Sequence, residues 1–204
     1  MTSEMNSKKD SDSDSNSESD SATPSPSSAA AALSAPSAPA GPIRPDADFM
    51  LAHPAHMLAL GFGSGLSRIV PGTVGTLFGW LLFHALSVRW PDIMTPAVWA
   101  ILIVAGFVIG VWACERTGRA LGVPDHGAMV WDEIVAIWLV MLFVTPASFQ
   151  AQLWAFLVFR LFDMTKPPPI RQFERRFKGG FGVMGDDLIA AFFTLLTLAL
   201  WRFW

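Results

Sequence analysis

The stretch AVWAILIVAGFVIGVWAC, Ala97 to Cys114, contains no charged residue. A helix needs about 20 apolar residues to cross a bilayer core, and this run approaches that length. Four shorter apolar segments accompany it: Val74 to Val88, Ile134 to Val144, Ala151 to Thr165 and Leu188 to Trp204. With 52% of its 204 residues hydrophobic and 15% charged, the chain has the composition of a membrane or unusually apolar helical protein. The expected fold is all-α, a multi-helical integral membrane bundle of about four to five apolar helices. The segment IVAIWLVMLFV is short even with its flanks, about 21 Å from Asp132 to Thr145 at ~1.5 Å per residue. It is expected to be re-entrant or buried among the other helices.

Ahead of the apolar segments, residues 1–48 are Ser, Ala, Pro and Asp in short repeats such as SDSDSNSESDS. Such a segment cannot bury enough surface to offset its ordering entropy, so a disordered acidic tail is expected before a helical domain over 49–204. The acidic start and the lack of an apolar core argue against a secretory signal or a transit peptide. The tail holds eight acids and three bases, leaving nine acids and eleven bases in the remainder. The net charge of -3 therefore belongs to the tail. The single cysteine, Cys114, excludes an internal disulfide and a thiolate metal cluster, and it reads as a small core residue.

If every apolar segment crosses with the amino terminus inside, the inner connections carry Arg68, Arg116, Arg119, Lys166, Arg171, Arg175, Arg176 and Lys178, and the outer ones only Arg89 and Arg202. That asymmetry supports a cytoplasmic amino terminus. Trp90, Trp99, Trp154, Trp201 and Trp204 then fall near the outer boundary and Trp112 and Trp131 near the inner one, as interfacial indoles would. Trp80 and Trp138 do not fit this pattern.

The same topology gathers three polar elements on one face. GFGSGLSRIVPGTVGT, Gly61 to Thr76, packs five glycines and four hydroxyl residues before a helix. Its amides could approach an anion, or it could be a plain membrane-entry loop. PDHGAMVWDEI places Asp132 and Glu133 at a helix start, where acids also serve simply to complement the macrodipole. In RLFDMTKPPPIRQFERRFKGGFGVMGDD, Arg160 to Asp187, three residues spaced three apart, Arg160, Asp163 and Lys166, share one helix face among apolar neighbours. Charge in such surroundings is costly unless it lines a polar site. The proline triplet is expected to end that helix. A basic loop would then run on to Asp186 and Asp187, directly before the last apolar helix. Most of its cations read as contacts to anionic lipid headgroups. Five carboxylates without a cysteine partner suit a hard ion such as Mg²⁺, while cations and amides suit phosphate. Metal-assisted phosphoryl transfer at the headgroup level is the chemistry this combination suggests.

Three ordered blocks, HMLALGFGSGLSRIVPGTVGTL, DHGAMVWDEI and FRLFDMTKPPPIRQFERRFKGGFGVMGDDLIA, resemble the bacterial phosphatidylglycerophosphatase A family. The resemblance covers roughly His53 to Trp204. It implies a multi-pass enzyme of the bacterial inner membrane, with its site on the cytoplasmic face. The implied reaction is Mg²⁺-dependent hydrolysis of phosphatidylglycerophosphate to phosphatidylglycerol and inorganic phosphate, in glycerophospholipid biosynthesis. For that reaction Asp132, Glu133, Asp163 and Asp187 are expected to hold or orient Mg²⁺, with Asp186 a ligand or the base for the attacking water. Lys166, Arg160 and the amides around Gly63, Ser64 and Gly65 would meet the phosphate, together with Thr73 and Arg171. Attack by water and an aspartyl-phosphate intermediate on Asp163 or Asp187 both stay open. Arg68, the triplet PPP and Gly185 depart from the family pattern. The expected partners are an anionic phospholipid and the membrane, with no nucleic acid; protein partners are not legible. A small transporter or a non-catalytic membrane scaffold are the rival readings. Charges clustered at one helix end disfavour the first, and carboxylates beside glycine loops have no reason under the second.

Overall fold

The computed structural model describes residues 44–202. The disordered tail expected over 1–48 lies outside them apart from its last residues, where Asp46 caps the first helix by accepting from Phe49 N–H at 2.8 Å. Trp204 also lies outside. Two short helices, α1 (Ala47–Leu51) and α2 (Pro54–Ala59), lead into a glycine-rich turn, Gly61–Leu66. Five longer apolar helices follow: α3 (Pro71–Arg89), α4 (Pro96–Leu121), α5 (Trp131–Val144), α6 (Phe149–Thr165) and α8 (Gly180–Arg202). A short basic helix, α7 (Pro168–Arg176), separates the last two. No strand occurs among the described residues.

The short helix α5 lies at the centre, packed against α3, α4, α6 and α8. Ile134, Val135, Ala136, Ile137, Val140 and Met141 are fully buried along it, so of the two expected arrangements the structure shows burial among the other helices. Around it, α3, α4 and α8 are long and apolar enough to cross a membrane by length and composition. Exposed Ile101, Val104, Val108 and Trp112 on α4 and Phe192, Leu196 and Leu200 on α8 form their outer faces. On a water-soluble protein such contiguous apolar surface would be a liability, so these helices suggest a membrane protein.

The seam between α3 and α5 explains how closely they meet. Gly72, Gly75 and Gly79 fall on one face of α3, and a Cβ at these positions would collide with Glu133, with Val130, and with Ile134 and Ile137 respectively. Small residues let helix backbones approach, as membrane interfaces require. The seam is locked by Trp138, whose indole N–H donates to the Gly79 carbonyl at 2.9 Å.

Several sequence expectations are corrected here. Trp99 and Trp131, assigned to boundaries, are core residues, buried with N–H groups donating to Ser87 Oγ and to the Gly106 carbonyl. The stretch after the proline triplet is largely helical. Pro168 opens α7 because a helix's first residue needs no N–H partner, so a proline run can start a helix as readily as it ends one. Asp186 and Asp187 do not precede the last helix but lie within α8, which begins at Gly180. The glycines of GFGVMG are tolerated there because they admit close neighbours: Val111 at Gly180, the Phe177 carbonyl at Gly182 and the Phe173 ring at Gly185. Cys114 is a buried core residue, its Sγ 4.0 Å from Met184 Sδ.

Candidate active site

One end of the bundle collects the starts of α3, α5 and α8 and the end of α6. Because Gly72 lets α3 lie directly on α5, Thr76, one turn further on, reaches Glu133: its hydroxyl stands 3.1 Å from Glu133 Oε2 and 2.9 Å from the Gly72 carbonyl. It also accepts from Arg160 Nη1 at 3.2 Å. Arg160, near the end of α6, pairs with Asp163 one turn along its own helix and with Glu133 Oε1 at 3.3 Å. One guanidinium thus ties α3, α5 and α6 together.

Asp187 completes the group from α8. Glu133, Asp163 and Asp187 each offer a carboxylate oxygen within 4.8 Å of the other two. Three acids that close repel strongly, and Arg160 offsets one charge. Asp187 Oδ2 and Arg160 Nε are both buried without a hydrogen-bond partner. Buried polar atoms are ordinarily satisfied, so this site retains one unused acceptor and one unused donor. An all-oxygen set of carboxylates fits a hard divalent cation such as Mg²⁺, and the spare guanidinium N–H fits an anion.

The other expected residues divide into those at this end and those engaged elsewhere. Lys166, the left-handed residue that ends α6, donates to Asp186 Oδ2 at 2.5 Å, while Asp186 Oδ1 accepts from the Asp187 amide at 3.1 Å. Asp132 is buried beside this pair of acids but stands outside the three-carboxylate group, with its Oδ1 unpartnered. The glycine turn departs from its expected role. Gly63 and Gly65 amides both donate to the Leu60 carbonyl at 3.1 Å, and Ser64 Oγ donates to the Gly61 carbonyl at 2.8 Å. Those donors are spent within the turn, so they form no open anion nest, and Gly65 is needed because the Ala128 carbonyl lies against it. Thr73 stays in the first turn of α3, beside Gly72. Arg171 is exposed on α7 and Arg68 is exposed ahead of α3. His126 accepts from Ala128 N–H, and His56 stacks on Phe49, both structural roles. Sequence reasoning passed over Thr76 and Gly72. Their i, i+4 spacing on a glycine-lined face was the available signal.

A cleft of about 240 Å³, lined by Asp125, Phe177, Lys178, Gly182 and Asp186 among others, opens beside the acid pair. Exposed Lys178 and buried Asp186 both line it, while Glu133, Asp163 and Asp187 do not.

The model of the family described as Phosphatidylglycerophosphatase A matches residues 57–202. This chain belongs to that family. Phosphatidylglycerophosphatase A of Escherichia coli K12 is 41% identical over 140 residues, covering 69% of this chain and 78% of that protein. Phosphatidylglycerophosphatase A of Haemophilus influenzae is 38% identical over 158 residues, 76% of this chain and 92% of the relative. A Bacteroides thetaiotaomicron protein, provisionally named a phosphatidylinositol-3-phosphatase, is 35% identical over 150 residues, 72% and 92% of the two chains. No solved structure matches. Membership of the phosphatidylglycerophosphatase A family makes this chain a phosphatase, and all the site residues described above fall within the matched segment.

Proposed function

We propose that this protein hydrolyses the phosphate monoester of phosphatidylglycerophosphate to phosphatidylglycerol and inorganic phosphate, using Mg²⁺ held by Glu133, Asp163 and Asp187. The observation that carries this reading is the buried three-carboxylate group with its unused Asp187 acceptor, set beside an unused Arg160 donor. The names of the two relatives supply the substrate. When bound, Mg²⁺ supplies charge neutralisation and polarisation of a phosphoryl oxygen. Arg160 and Lys166 stabilise the charge that develops on the remaining phosphoryl oxygens. Asp186, oriented by Lys166 and by the Asp187 amide, takes one proton of the water whose oxygen bonds to phosphorus as the phosphorus–oxygen ester bond breaks; the departing glycerol oxygen takes a proton from solvent, to which Asp186 later returns the one it holds. The site stands at one end of the helices, beside the basic α7 and Lys178, and the cation asymmetry of the sequence supports a cytoplasmic face of a bacterial inner membrane for that end. Product there enters glycerophospholipid biosynthesis.

The test is phosphate release by purified protein in detergent, with Mg²⁺ and with chelator, on phosphatidylglycerophosphate and on phosphatidylinositol 3-phosphate. Mg²⁺-dependent release from the first substrate is expected. Equal release in chelator would remove the metal from the reading, and preference for the second would replace the substrate.

The packing of α3 adds a prediction. In Gly72→Ala the new methyl group meets the Glu133 carboxylate, which must swing out of the group it shares with Asp163 and Asp187. Small misplacements of reacting groups cost up to about 100-fold, so turnover should fall about tenfold or more. Thermal unfolding should move little, because the displaced group is a flexible side-chain end. Normal turnover in Gly72→Ala would show that Glu133 need not hold this position.

A further inference from the structure

The helix that carries Asp186 and Asp187 has no side chain of its own to cap its start. Gly179, which precedes α8, is a glycine in the left-handed region at φ +74°. The cap comes from another helix: Glu115, one turn and a half before the end of α4, accepts from Gly180 N–H through Oε2 at 2.7 Å. Its other oxygen, Oε1, accepts from Arg119 Nε at 2.9 Å and Nη2 at 2.6 Å, an ion pair open to solvent on the arginine side. Around this bond the two helices touch. A Cβ on Gly180 would strike the Val111 carbonyl, one on Gly179 would strike the Glu115 carboxylate, and one on Gly110 would strike Met184.

We infer that Glu115 is a positioning residue, fixing the rotation and register of α8 so that Asp187 meets Glu133 and Asp163; the inference rests on the function proposed above. Gly180, Met184 and Asp187 follow the spacing i, i+4, i+7 and so share one helix face. A slip of α8 by one residue would shift Asp187 by ~1.5 Å along the axis and by ~100° around it, which is enough to remove it from the group. The three glycine contacts set the distance between the helices, but a contact between smooth surfaces allows rotation. The directional bond from Gly180 N–H to Glu115 does not. A charged acceptor at a helix start also complements the macrodipole, which the acid-free first turn of α8 does not do for itself.

The experiment compares wild type, Glu115→Ala and Glu115→Gln, the last keeping an acceptor for Gly180 N–H. Two readouts are taken: kcat and KM for phosphatidylglycerophosphate, and hydrogen exchange of the amides over 180–187 in the Mg²⁺-free protein. Glu115→Ala should lose about tenfold in kcat with KM within about twofold and should exchange faster over 180–187. Glu115→Gln should restore most of both. Faster exchange with unchanged kcat would overturn the positioning role, and so would a kcat loss without a change in exchange, since Glu115 would then act on substrate directly. If Glu115→Ala does not fold, Glu115→Asp, whose carboxylate stops one methylene short of Gly180 N–H, carries the same expectation in both readouts. Wild-type protein that releases no phosphate sinks the proposed function, whereas an active wild type beside an unaltered Glu115→Ala overturns only this inference.

Discussion

Asp187→Asn is expected to lower turnover by about three orders of magnitude while leaving the metal-free protein at least as stable as wild type. The two halves have one cause. Asp187 is a buried carboxylate close to Glu133 and Asp163, and its Oδ2 has no hydrogen-bond partner among the described residues. A neutral amide of the same shape removes repulsion without breaking a salt bridge. The same change removes one of three anionic oxygens from the group proposed to hold Mg²⁺, and buried electrostatic groups at a reaction centre are worth about 10²–10³ in rate each. Thermal unfolding with and without Mg²⁺ separates this from a folding defect. A ligand that binds only the folded state raises its stability, so wild type should gain melting temperature with Mg²⁺ and Asp187→Asn should gain much less. Asp163→Asn should match the loss of turnover but differ in stability, because Asp163 is a partner of Arg160 and its removal leaves the buried guanidinium less well compensated. Near-normal turnover in both variants would show that these carboxylates hold no essential metal.

Long uncharged runs such as Ala97 to Cys114 made the all-helical architecture readable, since length and composition alone decide what can cross a bilayer. The shortness of Ile134 to Val144 left either a re-entrant segment or a helix buried in the bundle, and the structure shows the second. Asp163 stood out because a charge among Phe159, Leu161 and Phe162 needs a partner. What escaped reading was the work of glycine and proline, whose local chemistry permits opposite outcomes. The glycines from Gly61 to Gly75 suit an anion loop and a helix seam equally well. The choice depends on what lies opposite: Ala128 at Gly65, Glu133 at Gly72 and Val130 at Gly75. The triplet Pro167 to Pro169 suits a stop and a start, and here it serves as both. Thr76 was hidden for a related reason, as an ordinary helical threonine until the glycine seam carries it to Glu133 and Arg160.

Arg160 links three helices through a single nitrogen, and its substitutions should separate charge from geometry. Arg160→Met removes the cation from a buried cluster and leaves Glu133 and Asp163 facing each other. Breaking a buried ion pair from one side typically costs about 3–5 kcal/mol, so a large fall in melting temperature is expected along with lost activity. Arg160→Lys keeps the charge but presents one compact ammonium in place of a planar fork. Its nitrogen ends one bond short of the position of Nη1, which makes all three contacts, and it has no counterpart of the unpartnered Nε donor. Most of the stability should therefore remain while turnover falls about 100-fold, the scale attached to a lost stabilising donor at a reaction centre. Mg²⁺ should partly restore the melting temperature of Arg160→Met, because a divalent cation among Glu133, Asp163 and Asp187 offsets the same negative charge that the guanidinium offsets in its absence. On that expectation a bound Mg²⁺ would share one electrostatic task with the guanidinium, which by itself offsets part of the negative charge of Glu133 and Asp163.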